Sequence, residues 1–196
     1  MNIEKWIIAH FSPTGGTKRV ADAIAAGFSV PVAQMDLTKA DSAVALGEHD
    51  GLMAVLPVFA GRVPQIALER LYAIKGRGHK AVAVVVYGNR EFDDGLLETK
   101  NALETQGFSV IAAAAFIAEH SIVRSVAAGR PDPEDEKIAR QFGADIMGSI
   151  VVNQVTVNDG FPVRIIKNRL SSESLFFFLN YQLHMYYLRM LYFLRS

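Results

Sequence analysis

The run Ala81-Val82-Ala83-Val84-Val85-Val86-Tyr87 carries no charge and is dominated by β-branched side chains. Such residues pack well on a pleated surface, and a run with no polar face has to be covered on both sides. It reads as a central strand of a sheet layered between helices. Lys5-Trp6-Ile7-Ile8-Ala9-His10-Phe11, Gly51 to Leu56 and Ser109 to Phe116 are further apolar runs bounded by turn residues, and Val30 to Met35 is a weaker one. Between them the apolar spacing becomes helical.

From Thr17 to Phe28, Val20, Ala21, Ile24 and Ala25 recur at helix period, with Gly27 near the end. A second helix is predicted from Pro64 to Ile74, with Pro64 in its first turn and Gly76 beyond its end. A third runs to about Gln106, opened by Asp93 or Asp94 as cap and stopped by Gly107. Asp132-Pro133-Glu134-Asp135 opens the last helix, with Asp132 as N-cap and acids facing the positive end of the helix dipole. Alternating strands and helices predict an α/β domain with a parallel sheet and helices on both faces. A chain of 196 residues, 51% hydrophobic, has the apolar content for one sizeable core.

In open α/β sheets, ligands bind at the loops that follow the carboxyl ends of the strands. The first of these loops is Ser12-Pro13-Thr14-Gly15-Gly16-Thr17. Glycines let the backbone approach an anion, the free amides of the helix start point at it, and Ser12, Thr14 and Thr17 add hydroxyls. The lysine-containing P-loop spacing and the dinucleotide fingerprint are both absent, which argues against ATP and NAD. Lys18 and Arg19 lie in the first helical turn, where the dipole disfavours cations unless an anion is bound or both point into water.

Ser/Thr-x-Thr-Gly-x-Thr directly after a first strand resembles the phosphate loop of the flavodoxin family. Pro57-Val58-Phe59-Ala60-Gly61-Arg62-Val63-Pro64 and Tyr87-Gly88-Asn89-Arg90-Glu91-Phe92-Asp93-Asp94 extend the likeness. So do Phe116-Ile117-Ala118-Glu119-His120-Ser121 and Gly129-Arg130-Pro131-Asp132. Together they are similar to the flavodoxin-like domain of bacterial flavodoxin/ferredoxin fusion proteins, over roughly Met1 to Phe161. The resemblance implies a doubly wound five-stranded parallel sheet of order 2-1-3-4-5 with flavin mononucleotide (FMN) as cofactor. It implies that Ser12 to Thr17 hold the phosphate and that Phe59 and Phe92 wall the ring. Pro57, Val58, Ala60 and Gly61 would then lie on one side of the ring, and Tyr87, Gly88, Asn89, Arg90 and Asp93 on the other. Glycine at 61 makes a turn of the Ala60–Gly61 peptide toward the ring inexpensive, and the amides of Gly88, Asn89 and Arg90 match its pyrimidine edge. Asp93 and Asp94 also read as helix caps, and Arg62 and Arg90 as surface charges. His120 and Ser121 fall near the same edge, while His10 reads as a packing or turn residue.

The chain has no cysteine, so structural disulfides, thiolate zinc sites, cysteine-held iron–sulfur clusters and cysteine nucleophiles are excluded. Twenty Lys+Arg balance twenty Asp+Glu, without the basic footprint that nucleic acid requires. No catalytic triad order, paired-carboxylate motif or metal-ligand spacing stands out. Met1-Asn2-Ile3-Glu4-Lys5 runs into a strand without a secretory pattern, so a cytoplasmic location is expected. From 162 to 196 the character changes: aromatic residues concentrate in Ser174 to Leu188, Glu173 is the one acid, and polar residues interrupt any membrane span. This tail stands where the resemblance would place a cysteine-rich ferredoxin module, either as a natural substitute or as the altered end of a truncated frame, and it is expected to support dimerisation or docking. The function implied is shuttling of single electrons between redox protein partners, ferredoxin-like ones among them. The alternatives are an NAD(P)H:quinone-type flavin reductase and a flavin-free interaction module of the same fold.

Overall fold

The computed structural model describes residues 3–40, 45–147, 155–157 and 161–163. Five strands, β1 (Lys5–His10), β2 (Val32–Asp36), β3 (Asp50–Pro57), β4 (Lys80–Tyr87) and β5 (Ser109–Ile117), form one sheet of order β2-β1-β3-β4-β5, with every pair parallel. This is the order the resemblance implied. The apolar run from Ala81 is buried throughout and lies between β3 and β5, because a strand without a polar face is stable only inside the sheet. The helices are α1 (Gly16–Ala25), α2 (Gln65–Tyr72), α3 (Gly95–Thr105) and α4 (Pro133–Met147).

Helix boundaries follow local chemistry. Asp132 Oδ1 accepts from the amides of Glu134 and Asp135 at 3.0 Å each, so the capping expected at α4 is present. Pro64 sits one position before α2, extended at ψ 131°. Asp94 precedes α3 without a side-chain cap bond, and Asp93 is left-handed at φ 40°.

One face of the sheet buries Trp6, Ile8, Met53, Val55, Val84 and Phe116 against α1 and α4. Trp6 is fully buried and stacks on Phe28 at 5.3 Å, and Gly51 leaves room for its ring. Helices α1 and α4 approach each other through glycine: a Cβ on Gly27 would lie 2.0 Å from the Arg140 carbonyl oxygen. Helix α1 is therefore located by backbone contact, and the loop that starts it inherits that position.

Two short strands, β6 (Val155–Val157) and β7 (Phe161–Val163), pair antiparallel. The sequence gives them no recognisable run, and the expected boundary at 161/162 falls within β7. The expected aromatic tail beyond residue 163 lies outside the described residues. Among the described residues no helix is long and apolar enough to cross a membrane.

His10 closes β1 almost fully buried, its Nδ1 without a hydrogen-bond partner and 3.9 Å from Asp36 Oδ1. Burial pushes the imidazole below its ordinary 6.5, and the Asp36 carboxylate opposes the shift without cancelling it. The unfolded chain thus takes up a proton near pH 6.5 while the folded one resists it, so His10 favours unfolding as pH falls through 6.5 toward the folded value. Urea midpoints at pH 7.5 and 5.5 should differ more in the wild type than in His10→Gln. Equal losses in the two proteins would refute this role for His10.

Candidate functional site

The loop after β1 is held open by its own residues. Gly15, at φ 90°, precedes α1 with no side-chain cap bond, and nothing lies within 4 Å of where its Cβ would be. The first amides of a helix have no intrahelical partner; here Ser12 takes the Lys18 amide, and the amides before it are the ones open to a ligand. Pro13, Thr14 and Gly15 are exposed, while Thr17 is buried and anchors the turn. Gly16 brings the helix start against the end of β5, where its Cβ would meet that of Ala118 at 3.1 Å. Ser12 Oγ accepts from the Lys18 amide at 2.9 Å, which leaves its hydroxyl proton for donation. The two first-turn cations are engaged with carboxylates of the chain: Lys18 with Asp22 at 2.6 Å, and Arg19 with Glu136 at 3.0 Å and the Pro131 carbonyl at 2.7 Å.

The loops after β3 and β4 stand at the same edge of the sheet. Pro57 ends β3, and the Val58 amide donates to the Val86 carbonyl at 2.9 Å. Phe59 and Arg62 exchange backbone bonds of 2.9 and 3.1 Å around Ala60 and Gly61, whose φ of 52° and 82° make a tight hairpin tip. Phe59 is 41% exposed there, an aromatic face with little core to join. Glu98 of α3 grips the hairpin by pairing with the Arg62 guanidinium and accepting from the Val63 amide at 2.9 Å. Arg62 is thereby a fastening residue, with Glu98 holding its proton more firmly than usual.

Phe92 differs from the expectation that its ring forms a wall. It is 6% exposed and packs edge-on against Tyr87, itself 5% exposed, at 5.4 Å. Burial pushes the Tyr87 hydroxyl up to about 12, so it stays protonated. Asn89, at φ 64°, and Arg90 are exposed, and Arg90 reaches Asp93 at 3.9 Å. The Asp93 carboxylate lies against Gly61, where a Cβ would come within 2.3 Å, so the two loops touch through that pair. Gly88 leaves room for His120, whose ring would lie 2.6 Å from any Cβ there.

The loop after β5 forms a further wall. His120 Nδ1 accepts from the amides of Ile122 and Val123 at 3.2 and 3.0 Å, which assigns the ring proton to Nε2. Glu119 accepts from Gly129 N at 2.9 Å and Arg124 Nε at 2.6 Å, and these bonds hold its carboxyl below the usual range. Between this loop and the start of α1 lies a cavity of about 400 Å³, lined by Thr14, Gly15, Gly16, Glu119, His120 and Arg124 among others. Sequence reasoning had not placed Glu119 or Arg124 at the site. Their neighbours His120 and Ser121 are expected near the site's edge, but nothing local shows that Glu119 and Arg124 pair with each other beside the glycine turn. Among the described residues, no group of three or more His, Asp or Glu side chains stands together to hold a metal.

The residues fit a phosphorylated flavin best at the phosphate end, where the glycine turn at the start of α1 opens onto the cavity. At the ring end they offer the exposed Phe59 and the backbone of two left-handed loops. No family model matches the sequence, and no curated protein does. Solved structures do resemble it. Oxidised flavodoxin 1 from Bacillus cereus superposes with a TM-score of 0.57 at 18% identity, over 74% of this chain and 99% of that one. A flavodoxin from the domain Archaea gives 0.54 at 20% identity, over 72% and 95%. The flavodoxin WrbA-like protein from Agrobacterium tumefaciens gives 0.53 at 17%, over 73% and 94%. Strand order, parallel pairing and these superpositions agree that the chain has the flavodoxin-like fold.

Proposed function

We propose that this protein binds FMN at the carboxyl edge of its sheet and passes single electrons between redox protein partners. The observation that carries the reading is the glycine-opened start of α1 beside two loops that end in an exposed phenylalanine and a run of turn backbone. FMN, when bound, supplies the redox chemistry, and the chain's residues bind and orient it. The amides of Gly15 to Thr17, with the Thr14 and Ser12 hydroxyls, would take the phosphate. Phe59 would cover the ring from the hairpin, and the amides of Gly88, Asn89 and Arg90 would meet its polar edge. Pro57 and Val58 hold that hairpin to β4, and Phe92 supports the opposite loop from beneath. Aromatic exposure at the tip keeps the ring near the surface, as exchange with a protein partner requires.

The partner is proposed to be another redox protein, a ferredoxin-like one included, met in the cytoplasm. A homodimer or docking through the tail is a second element of the proposal. The FMN-loaded protein should accept electrons from a reduced ferredoxin while showing no sustained oxidation of NADH or NADPH with a quinone present. Steady turnover of either nicotinamide cofactor with quinone would replace the shuttle with a reductase.

A further inference from the structure

The glycine turn is fastened from the side by residues that belong to no part of its motif. The Ser12 amide donates to Thr38 Oγ1 at 2.9 Å, and the Thr38 amide donates to Asp36 Oδ1 at 2.9 Å. The Leu37 amide donates to the His10 carbonyl at 2.8 Å, which ties the turn after β2 to the end of β1. The Thr38 hydroxyl is also bonded to the Asp36 carboxylate. Burial raises the Asp36 carboxyl, but the two bonds from Thr38, with His10 and Lys39 beside it, bring it below its ordinary value, so the group is an anion that can only accept.

The direction of each bond is then forced. An amide can only donate, so Thr38 Oγ1 accepts from Ser12 and sends its own proton to Asp36. At Ser12, the Lys18 amide occupies a lone pair of Oγ from the helix side. The Ser12 backbone is held by Thr38 and its oxygen by Lys18, which leaves one atom to be placed, the hydroxyl proton. Because Oγ accepts from Lys18, that proton is free to donate beside the first amides of α1. Holding the Ser12 backbone and its oxygen in place reduces the freedom this hydroxyl loses on donating to an anion.

We infer that Thr38, locked by Asp36, is a positioning residue that presents the Ser12 hydroxyl proton to the phosphate monoester of the ligand, and so favours a phosphorylated flavin over its dephosphorylated form. This rests on the FMN reading. It adds that discrimination between FMN and riboflavin depends on a side chain 26 residues away from Ser12, in the turn after β2.

The test is the ratio of FMN to riboflavin affinity, measured by flavin fluorescence quenching for the wild type, Thr38→Val, Thr38→Ser, Ser12→Ala and the Ser12→Ala/Thr38→Val double variant. Thr38→Val keeps the shape of the side chain and removes the acceptor. It should weaken FMN about tenfold, as loss of one charge-assisted hydrogen bond does, and change riboflavin less than about twofold. Thr38→Ser should restore the ratio. In the Ser12→Ala background, Thr38→Val should add little, because the proton it positions is already gone. An unchanged ratio in Thr38→Val, or equal loss of both flavins, would overturn the positioning role while leaving FMN binding intact. A wild type that binds neither flavin would overturn both readings.

Discussion

Gly143→Ala is expected to destabilise the domain by about 3 kcal/mol, although alanine in a helix interior normally gains about 1 kcal/mol over glycine. The sign reverses because of what Gly143 faces. A Cβ there would lie 2.2 Å from the carbonyl oxygen of Ile24, a backbone atom that no rotamer change can move aside. On the other side Gly27 already meets the Arg140 carbonyl, so α1 and α4 have no slack in which to separate locally. Relief requires α1 to lift from the sheet, exposing part of the face that buries Val20, Ala21 and Ile24. Domains of this size hold only about 5–15 kcal/mol in total, so the loss should be plain in a urea midpoint. The Ser12–Thr17 turn moves with α1, and FMN affinity should fall with stability. A midpoint equal to or above that of the wild type would mean that the helices do not meet through these glycines.

Thr14→Asp is expected to lower FMN affinity about 100-fold while leaving riboflavin within a few fold. Thr14 is exposed beside the start of α1 and lines the cavity there, so a carboxylate would face a phosphate bound at the turn, and like charges in contact repel by about a few kcal/mol at a protein surface before screening by salt. The same charge near a helix N-terminus stabilises the helix by about 0.5 kcal/mol, so unfolding cannot imitate the effect. Fluorescence titration against both flavins checks it, with the urea midpoint as a control. If both flavins weaken equally, the phosphate does not sit at this turn.

Much of the fold could be read from local pattern because buried parallel strands cannot alternate polarity. The run from Ala81 to Tyr87 and the segment from Trp6 to Ala9 are fully apolar for the same reason that they are central. The glycine turn was legible because a helix start that must stay open needs small residues and hydroxyls in sequence order. What could not be read depends on partners far along the chain. Glu98 stands 36 residues from Arg62, and nothing near the arginine signals that it would be gripped rather than free. Phe92 reads the same in sequence whether its ring faces a ligand or Tyr87, and packing made that choice. Thr38 follows a weak strand in an ordinary turn, and its part emerges only when β2 is placed beside β1. Strands β6 and β7 are three residues each, too short to show a period.

The most direct measurement is a titration of the purified chain with FMN, followed by the visible spectrum and by quenching of flavin fluorescence, with riboflavin in parallel. Saturable one-to-one binding of FMN at micromolar or lower concentration, with riboflavin at least about tenfold weaker, is the predicted result. A spectrum that remains that of free FMN throughout an excess of the protein would contradict flavin binding.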